Sequence, residues 1–361
     1  MAQGSAKTRT IKNSILKHIR HEYAFYPRIG RDYNVISENS FGENSGEGSY
    51  LISAIGHAER GGLDVPKGTS VGELALIRAI NNLSMGGAGC ESISVSIQSS
   101  SDCSEDILRS EMISLADIAK KLGIRIAGGN TTYSLGKYEN GLNNDTDYSN
   151  KYSIEITAYG IVSKEILDQL SVVPKAGDKV VILGNAGSYG AAMITEKKRG
   201  EMTSRFSESY MDGIVCKNIC MADTAKKLID AGAIYIHDMT FGGIYRTLLE
   251  TSEYSGLGIE VRHEDIPIKQ STIEVCEFWN LNPYKLLSTG GVVAVFREED
   301  ETRLIDKLSG LIKNGTNNDA DLSGIKIAGV LSESKERLIL SERNKTHRSI
   351  TLYEEDEIYK L

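Results

Sequence analysis

The chain has 361 residues, 40% of them hydrophobic and 25% charged, enough to bury cores in two domains of roughly 150–200 residues each. Its net charge of -8, from 41 basic against 49 acidic residues with no Lys/Arg-rich block, argues against a protein built on nucleic-acid backbone contacts. No apolar run approaches the roughly 20 residues of a membrane span, and residues 1–20 hold no apolar signal-peptide core. Five scattered cysteines suit a reducing cytoplasm better than a disulfide scaffold, so a cytoplasmic protein without a membrane partner is expected.

In chain order, residues 7–22 place Ile11, Ile15, Leu16 and Ile19 at helical spacing. The stretch 37–49, SENSFGENSGEGS, has no periodicity and reads as a loop. A short apolar strand is expected over 50–55, then a helix over 71–83 ending in the turn Met85-Gly86-Gly87-Ala88-Gly89. Residues 93–97 alternate as a half-buried strand does, and 104–122 form an amphipathic helix whose start signal is Ser104 followed by Glu105 and Asp106. A strand begins at 124–127, a polar insertion fills 136–151, and another strand covers 152–162.

Ser171 to Asp178, SVVPKAGD, is the clearest boundary in the chain. Beyond it, strands are expected at 179–183, 235–236, 258–261, 291–296 and near 325–330. Helices are expected at 187–198, 208–231, 242–255, 269–279 and 300–313, followed by a polar tail. Cys216 and Cys220 sit four apart in the 208–231 helix; with no second Cys/His pair at zinc spacing they read as buried thiols. Alternating strands and helices point to mixed α/β or α+β layers.

Four stretches then carry a resemblance: Arg28-Ile29-Gly30-Arg31-Asp32, Asn81 to Ala88 (NNLSMGGA), Ile126 to Thr131 (IAGGNT) and His237 to Ile244 (HDMTFGGI). Pro174 to Lys179, Asn282 to Gly291 and the ending Asp356 to Lys360 support them. In this order and spacing they resemble the aminoimidazole ribonucleotide (AIR) synthase-like superfamily, nearest its hydrogenase maturation and thiamine-monophosphate kinase branch. The resemblance covers the chain from about residue 25 onward. It implies a two-domain α/β (α+β) fold, with an N-terminal mixed-sheet domain that forms a dimeric β-barrel and a C-terminal α/β domain. The expected division is 1–170 for the ATP-binding and dimerisation domain, 171–345 for the second domain, and 346–361 for a tail.

The resemblance also implies that acidic side chains of the first domain hold Mg²⁺ against the phosphates of ATP, beneath a Gly-rich segment. Asp32 matches the acidic residue of a Gly-x-Asp motif and becomes a candidate metal ligand and catalytic residue; a turn aspartate capping the next strand is the competing reading. Gly42, Gly46 and Gly48 fall where a phosphate-covering loop can lie.

Several positions depart from the family. Asn82 and Asn130 stand where relatives carry acidic groups, or at the second position a histidine, and Gly56-His57-Ala58-Glu59 replaces an expected Thr-Asp strand end. An amide oxygen can still coordinate Mg²⁺, so Asn82 and Glu59 join Asp32 as candidate metal ligands, with Asp64 as a substitute carboxylate. His57 is a candidate base and Lys67 a candidate phosphate contact, against structural and solvated readings. Gly128, Gly129, Asn130 and Thr131 are candidates for nucleotide contacts. Asp238, a candidate catalytic residue, and Thr240, a candidate nucleotide contact, precede a Gly-Gly turn that opens a helix, where backbone donors meet anions; capping of that helix is the competing reading.

The hydrogenase maturation relatives end in a cysteine nucleophile, whereas this sequence ends Ile358-Tyr359-Lys360-Leu361, so nitrile formation is not expected. The reading is an ATP-dependent, homodimeric enzyme that phosphorylates or phosphate-activates an oxygen of an undefined small molecule. The alternative is a non-catalytic nucleotide- or metabolite-binding paralogue that has lost its acidic groups.

Overall fold

A computed structural model describes residues 10–19, 27–38, 48–134, 151–215, 219–297, 304–308, 324–341, 343–350 and 355–361. The first sheet comprises β1 (Asn34–Glu38), β2 (Ser49–Glu59), β3 (Ser92–Ser100), β4 (Arg125–Ser134) and β5 (Tyr152–Ser163). Its order is β1-β2-β5-β3-β4, with β3–β4 the parallel pair. One face is covered by α1 (Val71–Ser84) and α2 (Glu105–Lys121), and α3 (Lys164–Leu170) follows β5.

Local chemistry sets these boundaries. The Ser70 hydroxyl accepts from the Glu73 N–H at the start of α1, and Ser104 does the same for Asp106 at the start of α2. Gly56 permits the layers to meet: a Cβ there would lie 2.2 Å from the Ala75 carbonyl oxygen, so α1 rests directly on β2. Leu74, Leu76, Ile52, Ile93 and Ile154 pack behind that contact. β1 pairs no further along β2 than Ser53. Past that point Asn82 Nδ2 donates to the Ile55 carbonyl (2.8 Å) and Arg78 Nη1 to the His57 carbonyl (2.8 Å), so side chains of α1 serve the strand edge.

The second domain contains α4 (Ser188–Lys197), α5 (Arg199–Met202), α6 (Glu208–Asp212), α7 (Ala222–Asp230), α8 (Gly243–Ser255) and α9 (Gln270–Trp279). Its strands are β6 (Lys179–Leu183), β7 (Tyr235–Met239), β8 (Gly258–Arg262), β9 (Gly291–Phe296), β10 (Lys326–Ser332), β11 (Arg337–Ser341) and β12 (Thr346–Ser349). They form a sheet in the order β12-β11-β8-β10-β6-β9-β7, parallel between β11 and β8. β9 is buried along its whole length: Val292 and Ala294 pack towards α7, and Val293 and Val295 towards α8.

Three expectations differ from the structure. Residues 7–22 give only a π-helical turn (Ile11–Ile15) and a 3₁₀ turn (Leu16–His18) within the described part. The single helix expected over 208–231 is two, α6 and α7, because the buried Asn81 amide takes the Ile219 carbonyl (2.8 Å) and the Met221 N–H (2.7 Å). Those backbone groups would otherwise bond within a helix. Cys220 lies in this break and Cys216 lies outside the described residues. The strand expected to begin at 124–127 is β4, which carries on through Gly128 to Thr131. The polar stretch after 345 carries β12 and a docked 3₁₀ turn, Glu357–Lys360, whose Glu357 and Ile358 are buried. The 136–151 insertion lies outside the described residues except at its last position.

Candidate functional site

The segment before β1 is pinned to β7 by the Tyr235 hydroxyl, which donates to the Gly30 carbonyl at 2.7 Å. That places Asp32 between the domains. An Asp32 carboxylate oxygen lies 2.8 Å from His237 Nδ1 and accepts the Asp238 N–H at 3.3 Å. His237 Nε2 meets Glu250 of α8 at 2.9 Å, and Glu250 is held in turn by Arg246 Nε at 3.0 Å. Asp32, His237 and Asp238 each offer a ligand atom, all within 4.8 Å of one another. Among the described residues this is the group of three such side chains able to hold a metal ion.

Charge in this cluster is tightly controlled. Burial disfavours a charged imidazole, yet the carboxylates of Asp32 and Glu250 outweigh it and hold His237 well above its ordinary value. Burial also works to raise Glu250, but His237 and Arg246 hold it below the usual carboxylate range. Asp238, 6% exposed, feels His237 and Arg78 only as weaker opposing charges. Burial and the neighbouring Asp32 charge push it up to about 7.

The remaining candidates fall elsewhere. Thr240 stands at the lip of the cluster, where its carbonyl accepts from Gly243 and Ser288 N–H, both at 3.2 Å. His57 and Glu59 are exposed on the outer face of the first sheet. Register sets His57 beside Glu155, Glu155 beside Ser96, and Ser96 beside Asn130, one polar row across four strands. Gly128 shares that face, whereas Gly129 and Thr131, one residue out of phase, face the other way. Asn82 uses its amide N–H₂ on the Ile55 carbonyl, a donation that a carboxylate could not make. Asp64 is buried against Arg78, and Lys67 is exposed, with its backbone N–H donating to Glu196. Gly48 opens β2 and its carbonyl accepts from the Lys164 N–H at 2.6 Å; Gly42 and Gly46 lie outside the described residues. The sequence reading did not single out His237, Glu250 or Arg246. The His237–Glu250 pairing joins β7 to the second turn of α8, and the i,i+4 spacing of Arg246 and Glu250 was its one legible trace.

Two α/β domains, each built on a mixed sheet, make up the AIR synthase-like fold. The chain belongs to the family of AIR synthase related proteins: the family's N-terminal domain matches residues 52–162 and its C-terminal domain residues 175–313. It is similar to the carbamoyl dehydratase HypE of Rhizobium leguminosarum bv. viciae, 26% identical over 241 residues, covering 64% of this chain and 62% of that relative. The match thus spans less than two thirds of the relative's length. Among solved structures it is similar to the HypE–HypF complex (TM-score 0.68, 21% identity, 95% of this chain and 99% of that one). HypE in complex with ATP is similar as well (TM-score 0.65, 19% identity, 99% of this chain and 97% of that one). At these identities the structural likenesses establish the fold. No helix among the described residues is long and apolar enough to cross a membrane.

Proposed function

We propose that the chain is an ATP-dependent, cytoplasmic enzyme that transfers a phosphoryl group to an oxygen of a small molecule, with Mg²⁺ held by Asp32 and Asp238. The observation that carries this reading is the meeting of carboxylates from both domains within one buried cluster at the foot of the Gly242–Gly243 turn. The donor set fits a hard divalent ion. With Asp238 lifted to about 7 by burial and by the adjacent Asp32 carboxylate, the pair gains from a cation between them. The family membership, and the likeness to a HypE solved with ATP, support nucleotide as the ligand.

Mg·ATP would supply an electrophilic phosphoryl group together with neutralisation of its charge. The chain's own residues position it. Asp32 and Asp238 hold the ion, His237 fixes the Asp32 carboxylate, and Glu250 with Arg246 fixes His237. Gly128, Asn130 and the Gly48 end of β2 remain candidates for nucleotide contacts on the first domain, and His57 with Glu155 for a base on the outer sheet face. That face also exposes Ile55 and Ile161, which supports a homodimer in which two such sheets close into a barrel.

A second reading, a binding paralogue without turnover, is favoured by one observation. Asn82 is committed to the Ile55 carbonyl, so the amide that replaces an acidic group has a structural task. Isothermal titration with Mg·ATP tests the first reading: saturable heat is expected, reduced at least tenfold by Asp32→Asn. No heat and no thermal shift at millimolar nucleotide would remove it. Binding without hydrolysis across a panel of hydroxyl and amide substrates would leave the second reading.

A further inference from the structure

Asp356 and Glu357 are 3% and 2% exposed in a chain that carries a net charge of -8. Carboxylates are seldom buried so completely without a cation. Glu357 has Lys360 at 2.7 Å, and it also accepts the Asn282 N–H at 3.2 Å. Asp356 is held by backbone N–H groups instead. One oxygen accepts from Gly242 at 2.5 Å; the other accepts from Leu287 at 3.2 Å and from Ile358 at 2.9 Å.

Gly242 and Leu287 belong to two separate turns, the one that opens α8 and the one that precedes β9. Their N–H groups converge on a single carboxylate at the positive end of a 13-residue helix. Thr289, two residues beyond Leu287, keeps a buried hydroxyl with no hydrogen-bond partner among the described residues. The segment is linked to the first domain through one shared ring. Tyr359 stacks on Phe241 with ring centroids 5.8 Å apart, and the Arg78 guanidinium of α1 lies over that same Phe241 ring at 5.5 Å.

We propose that residues 355–361 form a tethered lid, in which the Asp356 carboxylate occupies a two-turn cradle that otherwise takes the anionic group of a ligand, a phosphate or a carboxylate. The lid is autoinhibitory: an external anion gains the Gly242 and Leu287 donors only when the segment lifts. This does not depend on nucleotide chemistry, so a failure to bind ATP leaves it standing.

The test uses the full chain as wild type, Asp356→Asn and Tyr359→Ala, with inorganic phosphate as the probe, followed by calorimetry and amide hydrogen exchange. Tyr359→Ala weakens the lid while leaving Asp356 and the cradle intact, so it decides the matter if Asp356→Asn fails to fold. Phosphate is expected to bind both variants at least tenfold more tightly than wild type. It should protect the Gly242 and Leu287 amides and, in Tyr359→Ala, speed exchange across 355–361. Equal affinity in all three proteins, or binding that leaves those amides and that segment unchanged, would overturn the proposal.

Discussion

Replacing Asp238 by Asn removes a titration more than a contact. The carboxyl, ordinarily near 3.8, stands at about 7, because burial disfavours the anion and the Asp32 carboxylate repels it. Between those values the folded chain holds a proton that the unfolded chain has released, so stability falls as pH rises through this window. At about 1.4 kcal/mol per tenfold change in proton affinity, the ceiling is about 4 kcal/mol, and relaxation of the site brings the measurable part to about 2–3 kcal/mol. His237 contributes in the same direction only above its unfolded value of 6.5, and it does so in both proteins. Urea denaturation of wild type and Asp238→Asn in chelator, at about pH 5 and about pH 8, gives the comparison. The variant should gain about 2–3 kcal/mol relative to wild type over that interval. A difference that stays flat with pH would refute the linkage of Asp238 to its buried neighbour.

Three further outcomes follow from particular contacts. Asn81→Ala strands a buried carbonyl and a buried N–H between the domains and should cost about 3 kcal/mol in chemical denaturation. Gly243→Ala puts a Cβ at a φ of 59°, 2.6 Å from the Leu286 carbonyl oxygen, and should cost about 2 kcal/mol or more, read as a lowered Tm. Ile161→Glu on the outer sheet face should turn a dimer into a folded monomer by light scattering with unchanged circular dichroism; an unchanged mass would place the interface elsewhere.

Much of the fold could be read from local chemistry. Helices α1 and α2 begin at Ser70 and Ser104 as their caps dictate, and α8 is bracketed by Gly242 and Gly256, both in the left-handed region. What escaped was set by distant partners. Asn81 breaks the 208–231 helix from 138 residues away, and Asp356 is buried through donors at Gly242 and Leu287 that no periodicity announces. The site divides the same way. Asp32 and Asp238 each carry a motif signature, but their convergence depends on Tyr235 reaching Gly30, a pairing across 205 positions. His237 opened one of the motifs, but its role stayed hidden because the Glu250 that engages its second ring nitrogen lies in the second turn of the next helix.

The side chains of Arg78 and Asn82 stand one helical turn apart and occupy the carbonyls of His57 and Ile55, two residues apart on β2. A helix thereby impersonates the missing neighbour strand and leaves a foreign chain no vacant acceptors to template upon there. Truncating Asn82 would therefore raise the hazard of intermolecular β-pairing and fibril growth even where the folded molecule loses little.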